Sequence, residues 1–294
     1  MNIGFVGMGE AGSAIVSGWG NAQSGIRAFD VKTDDPATAV EMARRYDALG
    51  VTDAGTIAGL AAKTDLIFCT VTADRAVEAA RAAAPHIAKD SFWCDLNSCA
   101  PSSKRTSAQI VEGAGGRYVD VAVMAPVHPR LNMVPLLVSG PHAQTIAPIL
   151  TALPMNPTLV PGDVGAASTI KMIRSVMVKG LEALTAECVL AAVAEGIEED
   201  ILSSLLVSHR IEDWAAQSAY NFERVIRHGE RRAAEMEEVA KTLSDLGLPN
   251  DMTRAAVLWQ RRIAGAGLTP PKEPRKTGPK PIAESLLPHI RMPK

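Results

Sequence analysis

The sequence predicts an α/β domain with a doubly wound, mostly parallel sheet, followed by an all-α C-terminal domain built on one long helix. Short apolar runs alternate with helical patterns over residues 1–161, an order typical of parallel strands joined by right-handed crossovers. Residues 164–195 then contain no proline and have apolar residues at helical spacing. A helix of about thirty residues is about 45 Å long, too long for the interior of one small domain.

The first thirty residues contain the most informative motif. A short apolar run over residues 2–6 predicts a buried strand, and a G-x-G-x-x-G follows it as Gly7-Met8-Gly9-Glu10-Ala11-Gly12. In this pattern one glycine permits a tight turn, one admits a pyrophosphate to the backbone, and one lets a helix pack closely. A second apolar run ends at Asp30, eighteen residues after Gly12. The motif predicts a Rossmann-type domain in which residues 7–12 bind the cofactor phosphates and Asp30 binds the adenosine ribose.

The same carboxylate indicates which dinucleotide is bound. Asp30 accepts hydrogen bonds from a ribose 2′-hydroxyl and repels a 2′-phosphate, so it favours NAD over NADP. Lys32 lies two residues further on and partly offsets that repulsion, so NADP stays possible.

The next elements continue the alternation of strand and helix. A helix is expected from residue 37 to Leu49, ending at Gly50. The other predicted strands are 65–69, 92–96, 118–120, 134–138 and 158–160, and the helices are 74–84 and 102–112. Because parallel strands end at one edge of a sheet, the loops 70–72, 97–99 and 122–130 are expected to line one cleft.

Composition and charge exclude several classes of partner. The net charge of −2 and the pI near 6.3 give no basic footprint for nucleic acid. The chain has no apolar run near the length of about 20 residues that a membrane span needs. Met1 leads straight into the first strand, and the four cysteines form neither a CxxC pair nor a metal cluster with histidines. These features predict a cytoplasmic enzyme with reduced thiols and no metal.

The C-terminal part predicts helices over 198–206, 212–227, 230–246 and 251–264. We expect three segments: a dinucleotide-binding domain over 1–161, a helical substrate and dimerisation domain over 162–268, and a tail over 269–294. Seven of the 19 prolines lie in the tail, which predicts an extended arm on a partner subunit or a disordered end. The long helix near 164–195 predicts a homodimer.

A second motif lies at the domain junction, in Gly162-Asp163-Val164-Gly165-Ala166-Ala167-Ser168-Thr169-Ile170-Lys171. With the N-terminal glycine motif, it resembles the β-hydroxyacid dehydrogenase family, which includes relatives of 6-phosphogluconate and 3-hydroxyisobutyrate dehydrogenases. That family has the signature G-x-x-G-x-G/A-x-x-x-K-x-x-x-N, and the resemblance covers about residues 1–265. It implies that Lys171 is the catalytic acid/base. A lysine on the first turns of a buried helix can serve that role when desolvation lowers its pKa, although such a lysine can also extend to the surface.

The resemblance also implies roles for other residues. It places Thr70, Val71 and Thr72 against the cofactor, and it places Asn97 and Ser98 at the nicotinamide end, with Asn97 also a candidate for catalysis. Ser175 replaces the asparagine of the signature and is a candidate for binding the reacting oxygen. The substrate loop D-x-P-V-S-G-G is altered here, with Met124 at the position of the serine.

Several candidates for substrate binding follow from the altered loop and the helices. Met124 is the first. His128 and Arg130 are suited to an anionic, carboxylate-bearing substrate, or else belong to a solvated loop. Arg174 lies three residues after Lys171, and Arg231 lies near the position where the family has a lysine facing the nicotinamide. For Arg231 a charged helix surface is the competing interpretation.

These residues predict an NAD(P)-dependent dehydrogenase or reductase that acts on CH–OH, by hydride transfer between nicotinamide and a hydroxy acid or related carbonyl. Imine reductases share the fold but generally lack the lysine, so Lys171 favours alcohol or carbonyl chemistry. Two alternatives stay open. One is an oxidoreductase or oxidoisomerase of the same fold acting on a bulkier sugar-acid or aromatic-derived substrate. The other is a dinucleotide-binding regulator without turnover.

Overall fold

The computed structural model of this chain describes residues 1–20, 25–208 and 213–290. Within the helices of the C-terminal part some side chains, that of Arg231 among them, lie outside this description. The chain divides into two compact units, Met1–Val176 and Met177–Lys294. No helix in the described residues is long and apolar enough to span a bilayer.

The first unit is built on one eight-stranded sheet with the strand order β3-β2-β1-β4-β5-β6-β7-β8. All neighbouring strands are parallel except β6 and β7, which are antiparallel. The predicted doubly wound, mostly parallel sheet is therefore confirmed. Its strands are β1 (Ile3–Val6), β2 (Arg27–Phe29), β3 (Thr52–Asp53), β4 (Leu66–Cys69), β5 (Phe92–Asp95), β6 (Arg117–Val123), β7 (Pro135–Ser139) and β8 (Asn156–Leu159).

Helices cover both faces of this sheet, and a separate core lies on each face. Because successive strand residues point to opposite faces, Phe68 belongs to one core and Ile67 to the other. The first core contains Phe5 stacked on Phe68, with ring centroids 5.1 Å apart. The helices of this unit are α1 (Glu10–Trp19), α2 (Ala39–Leu49), α3 (Ile57–Ala61), α4 (Ala76–Ala83), α5 (Pro101–Gly113) and α6 (Ala143–Ala152).

Three of these elements, β3, α3 and α6, were not expected from the sequence. The strand β3 has two residues and α3 has five, so neither contains a full period of its pattern. The helix α6 contains Pro148, which reads as a breaker. The expected end of α2 is confirmed, because Gly50 adopts the left-handed conformation with φ 63°.

The remaining helices begin with α7 (Ala166–Glu195), the predicted long helix of 30 residues. They continue with α8 (Glu198–Ser208), α9 (Trp214–Asp245), α10 (Asp251–Ala264), α11 (Pro274–Thr277) and α12 (Pro279–Ile290). The two helices expected over 212–227 and 230–246 are one helix, α9, from Trp214 onward; residue 212 lies outside the described residues. Gly229 does not break it. A Cβ at Gly229 would lie 2.5 Å from the Gln260 carbonyl oxygen, so this glycine permits α10 to approach.

The prediction of an extended tail over 269–294 is wrong for residues 274–290, which form α11 and α12. Pro274 and Pro279 each occupy the first position of a helix, where no backbone N–H is required. Ile282 and Leu286, one helical turn apart, are buried in a cluster with Ala219 and Ile263. Residues 291–294 lie outside the described part of the chain.

Candidate cofactor and active site

The three glycines of the first loop have three different surroundings. Gly7 has φ +90°, and a Cβ there would lie 2.8 Å from the carbonyl oxygen of Thr70. A Cβ at Gly12 would lie 2.9 Å from the Gly7 carbonyl oxygen, so this glycine lets α1 pack against the strand. Nothing lies within 4 Å of the Cβ position at Gly9, which is the N-cap residue of α1. Gly9 therefore faces open space where backbone N–H groups and the helix dipole favour a phosphate.

Asp30 holds this loop against the tip of β2. One carboxylate oxygen accepts the Met8 backbone N–H at 2.8 Å, and the other accepts the Lys32 backbone N–H at 3.0 Å. The Arg45 guanidinium donates to the Met8 carbonyl from the other side at 3.0 Å. A carboxylate offers about four acceptor sites, so Asp30 retains capacity for ribose hydroxyls. Beside Met8 in the loop, Glu10 is exposed and Ala11 is half-buried.

The ends of the parallel strands are aligned in one row. Val6 pairs with Cys69, Cys69 with Asp95, and Asp95 with Asp120. The glycine loop, residues 70–72 and residues 97–98 therefore leave the sheet at the same edge. Thr70 joins the first two of these loops, because its hydroxyl donates to the Gly7 carbonyl at 2.6 Å. Val71 is half-buried, and Thr72 and Ser98 are exposed.

Asn97 is buried at this edge with one atom unsatisfied. Its backbone N–H and its side-chain amide both donate to one carboxylate oxygen of Asp95, at 2.9 and 2.7 Å. Its side-chain amide also lies 3.3 Å from the Cys69 sulfur. Its Oδ1 is buried and has no partner among the described residues. Such an acceptor is costly to leave unpaired, and the carboxamide N–H₂ of a nicotinamide is a donor that fits it.

Lys171 lies on the second turn of α7 and is half-buried. Burial, followed by the Asp95 charge, raises the pKa of the Cys99 thiol to about 11, while the charges of Lys104 and Lys171 act in the opposite direction. The Lys171 ammonium is thus within electrostatic range of Cys99, which lies two residues after Asn97. The Ser175 hydroxyl donates to the Lys171 carbonyl oxygen at 2.9 Å.

A buried polar cluster beneath this edge was not predicted from the sequence. It contains Lys104, whose side chain has no exposed surface, together with Asp95 and Asp120. The Tyr118 hydroxyl donates to Asp95 at 2.7 Å, and burial together with the Asp95 charge raises the pKa of Tyr118 well above its usual value. The available signal was a single acid in each of two mainly apolar strands, β5 and β6.

The predicted substrate residues are less closely gathered. Met124, on the loop after β6, is half-buried and donates its backbone N–H to the Pro135 carbonyl at 2.8 Å. His128 and Arg130 on the same loop are exposed, as is Arg174 on α7. The side chain of Arg231 lies outside the described residues. Within the described part of the chain, no three His, Cys, Asp or Glu side chains are grouped to hold a metal ion.

Comparison with known proteins identifies the first unit. Residues 2–159, more than half of the chain, match the family model described as the NAD binding domain of 6-phosphogluconate dehydrogenase. The chain belongs to this family. The 6-phosphogluconate dehydrogenase-type domain confirms the predicted Rossmann domain and its nicotinamide dinucleotide, and the protein is an NAD(P)-dependent oxidoreductase. Residues 192–263 match a second model, a domain of unknown function, DUF1932.

Three solved structures extend this comparison to at least 92% of the chain. A conserved hypothetical protein from Sinorhizobium meliloti is 34% identical, covers 99% of this chain and 97% of its own, and has a TM-score of 0.60. A conserved protein described as structurally similar to 3-hydroxyacid dehydrogenases is 25% identical, with coverage of 92% and 100% and a TM-score of 0.57. An imine reductase from Myxococcus stipitatus in complex with NADP⁺ is 19% identical, with coverage of 94% and 99% and a TM-score of 0.70. At 19% identity, the imine reductase shows only that the two proteins share a fold.

Proposed function

We propose that the protein transfers a hydride between a nicotinamide cofactor and a hydroxy acid or related carbonyl compound, with Lys171 as the general acid/base. The observation that carries the proposal is the position of Lys171, half-buried on α7 and three residues after Ser168, whose backbone N–H and hydroxyl both bind the Asp120 carboxylate of β6. The carbinol carbon cannot release its hydride efficiently unless a nearby base takes the hydroxyl proton. The fully buried lysine of this unit, Lys104, is held by two carboxylates and is not available for that role.

The residues at the carboxyl edge fit the cofactor. Gly9 and the first N–H groups of α1 would receive the pyrophosphate, and Asp30 the adenosine ribose. Thr70, Val71 and Thr72 would border it, and the unpaired Oδ1 of Asn97 would accept the carboxamide N–H beside Ser98. When bound, the nicotinamide supplies the position that accepts or returns the hydride. Asp30 favours NAD, and Lys32 leaves NADP as a second cofactor.

The proton of the substrate hydroxyl is transferred by a side chain of the protein. In the oxidation direction the neutral Nζ of Lys171 takes the proton of the substrate hydroxyl, and in reduction the ammonium returns it to the forming alkoxide. The Ser175 hydroxyl donates to the helix backbone, so its remaining role is to accept a hydrogen bond from the substrate. The proposed contacts for a substrate carboxylate are His128, Arg130, Arg174 and Arg231. Met124 shapes the loop that carries the first two.

We further propose a homodimer through α7. Among its described side chains, five exposed apolar ones recur at intervals of three or four residues: Ile170, Ile173, Met177, Leu181 and Leu184. Such a stripe costs free energy when it faces water and is typical of a helix that packs on a partner. In this proposal residues 162–268 form the substrate and dimerisation domain.

The test is NAD and NADP reduction, followed optically, across a panel of hydroxy acids and sugar acids. Lys171→Ala is expected to abolish turnover while the Kd for NAD stays within about threefold of the wild-type value. Lys89→Ala, which removes an exposed lysine outside the carboxyl-edge site, is the control. Wild-type turnover in Lys171→Ala removes the assignment of the base. Reduction of imines without any turnover of hydroxy acids contradicts the substrate class, and tight cofactor binding without any turnover supports the regulator instead.

A further inference from the structure

Lys104 is the centre of a buried ion-pair cluster in the first unit. Its Nζ donates to the Asp95 backbone carbonyl at 2.6 Å and lies 3.0 Å from an Asp95 carboxylate oxygen. The nearest oxygen of Asp120 is 3.6 Å away. All three side chains are at most 1% exposed. Three charges buried this deeply are costly, and they persist only where hydrogen bonds satisfy every group.

One acid of the cluster holds the loop that contains Asn97. As described above, a single Asp95 oxygen accepts both the backbone N–H and the side-chain amide of Asn97. These bonds turn the amide N–H₂ inward and leave the Asn97 Oδ1 as the unpaired atom. The second Asp95 oxygen is occupied by the Tyr118 hydroxyl. The direction of the Asn97 side chain is therefore set by the position of Asp95.

The other acid holds the start of α7. One Asp120 oxygen accepts the backbone N–H groups of Gly165 and Ser168 at 3.0 and 3.1 Å, and the other accepts the Ser168 hydroxyl. The Ser139 hydroxyl donates to Asp120 at 3.1 Å and accepts the Ala167 backbone N–H at 2.9 Å. The carboxylate thus satisfies helix N–H groups that have no partner within the helix, less than one turn before Lys171.

We infer that Lys104 is a positioning residue, whose buried ammonium ties Asp95 to Asp120 and thereby fixes Asn97 and Lys171 relative to each other. The inference rests on the proposed function, in which these two residues serve the cofactor and the substrate proton. Lys104 touches neither reactant. Its effect on turnover passes through Asp95, by the backbone carbonyl and the carboxylate, and through the carboxylate of Asp120. A displacement of about 1 Å at a reacting group is enough to cost about a hundredfold in rate.

A purely structural cluster and a positioning cluster differ in what they couple. Tyr118→Phe removes one donor to Asp95 and leaves every bond to α7 in place. If Lys104 transmits position, this change on the Asp95 side loosens the first turn of α7. If the cluster only stabilises the fold, the amides of residues 165–171 exchange as in the wild type, and only the melting temperature falls.

The experiment combines hydrogen exchange of the full-length protein, read by mass spectrometry, with NAD binding and steady-state kinetics. The variants are Tyr118→Phe, Ser168→Ala and the charge-compensated double variant Lys104→Met/Asp120→Asn, which keeps the net charge of the cluster. Thr64→Val is the control, because Thr64 is equally buried in the same unit and donates to the Leu60 carbonyl at 2.7 Å, outside the cluster.

We expect faster exchange at residues 165–171 in all three variants, at least a tenfold loss of kcat, and a Kd for NAD within about threefold of wild type. Thr64→Val is expected to change the melting temperature alone. Wild-type exchange at α7 in Tyr118→Phe, or unchanged kcat in the double variant, overturns the inference. If the wild-type protein turns over no substrate, the proposed function has failed, and the exchange data alone decide whether Lys104 couples the two elements.

Discussion

The Asp120 carboxylate accepts the backbone N–H of Ser168 at 3.1 Å, three residues before Lys171 on α7. An acid from the centre of the sheet therefore provides the N-terminal cap of the long helix. We expect Asp120→Asn to lower the free energy of unfolding by about 1–3 kcal/mol, because the amide replaces one acceptor oxygen by a donor facing helix N–H groups. Urea unfolding measures the change. Asp163→Asn, an exposed acid close to the same helix start, is expected to stay within about 0.5 kcal/mol of the wild type.

A substitution at Gly9 is expected to weaken cofactor binding without changing stability. Because nothing lies within 4 Å of its Cβ position, Gly9→Ala is expected to keep the wild-type melting temperature. The added methyl group enters the space in front of the α1 N–H groups, so the Kd for NAD is expected to rise at least about tenfold. Gly113→Ala adds a methyl group in open space on α5 and should leave both quantities unchanged. Equal affinity for NAD in the two alanine variants would place the phosphates elsewhere.

Gly7→Ala, unlike Gly9→Ala, is expected to change stability as well as cofactor binding. The residue has φ +90°, and the new Cβ would lie 2.8 Å from a backbone oxygen, which cannot move as a flexible side chain can. We expect a loss of stability of about 1–3 kcal/mol together with weaker NAD binding. Thermal unfolding with and without saturating NAD separates the two effects. A Gly7→Ala protein as stable as wild type would contradict the loop geometry.

Asp30→Asn is expected to raise the ratio of NADP to NAD in kcat/KM by about tenfold, because the carboxylate no longer repels a 2′-phosphate. The variant is also expected to melt at a lower temperature, since Asp30 binds two backbone N–H groups with two different oxygens. The pair of measurements is coenzyme kinetics and calorimetry. An unchanged cofactor ratio argues against the role of Asp30 at the ribose.

The protein is expected to lose stability in alkaline solution. The pKa of Cys99 rises from 9.0 to about 11 on folding, chiefly because the thiol is buried. Between these values the unfolded chain releases the proton and the folded chain keeps it, so the free energy of unfolding falls as pH rises from 9 towards 11. The contribution of Cys99 between pH 9 and 10 is about 1 kcal/mol. Buried Cys69, Cys94 and Tyr118 act in the same direction.

Cys99→Ser isolates that contribution. Serine keeps a donor for the Ala73 carbonyl and does not titrate in this range, so the dependence of stability on pH should become shallower. Cys188→Ser, which changes an exposed cysteine, should leave the slope as in wild type. The same slope in both variants would show that the thiolate of Cys99 forms as readily in the folded protein as in the unfolded chain.

The fold could be predicted from the sequence where its signals are local. The glycine loop and the αL end of α2 at Gly50 are set by backbone geometry that only a few residue types permit. Lys104 could not be placed, because a lysine in the polar helix α5 resembles a surface residue, and its burial depends on Asp95 and Asp120 from two distant strands. The break predicted between residues 227 and 230 was wrong for the same reason, because the close approach of α10 at Gly229 is absent from the local sequence pattern.

Asp30 is expected to act both on stability and on coenzyme preference. Its carboxylate accepts the Met8 backbone N–H of the glycine loop, and it is also the group that we propose to bind the adenosine ribose. Replacing Asp30 to change the preference between NAD and NADP therefore also changes the hydrogen bond that holds Met8. Val31 and Lys32, which follow it, are both exposed, and Val31 is 72% exposed. Val31 is therefore a position where a cationic or hydroxyl side chain can be introduced to favour NADP while the hydrogen bond from Met8 to Asp30 is kept. Lys32, beside it, is already cationic.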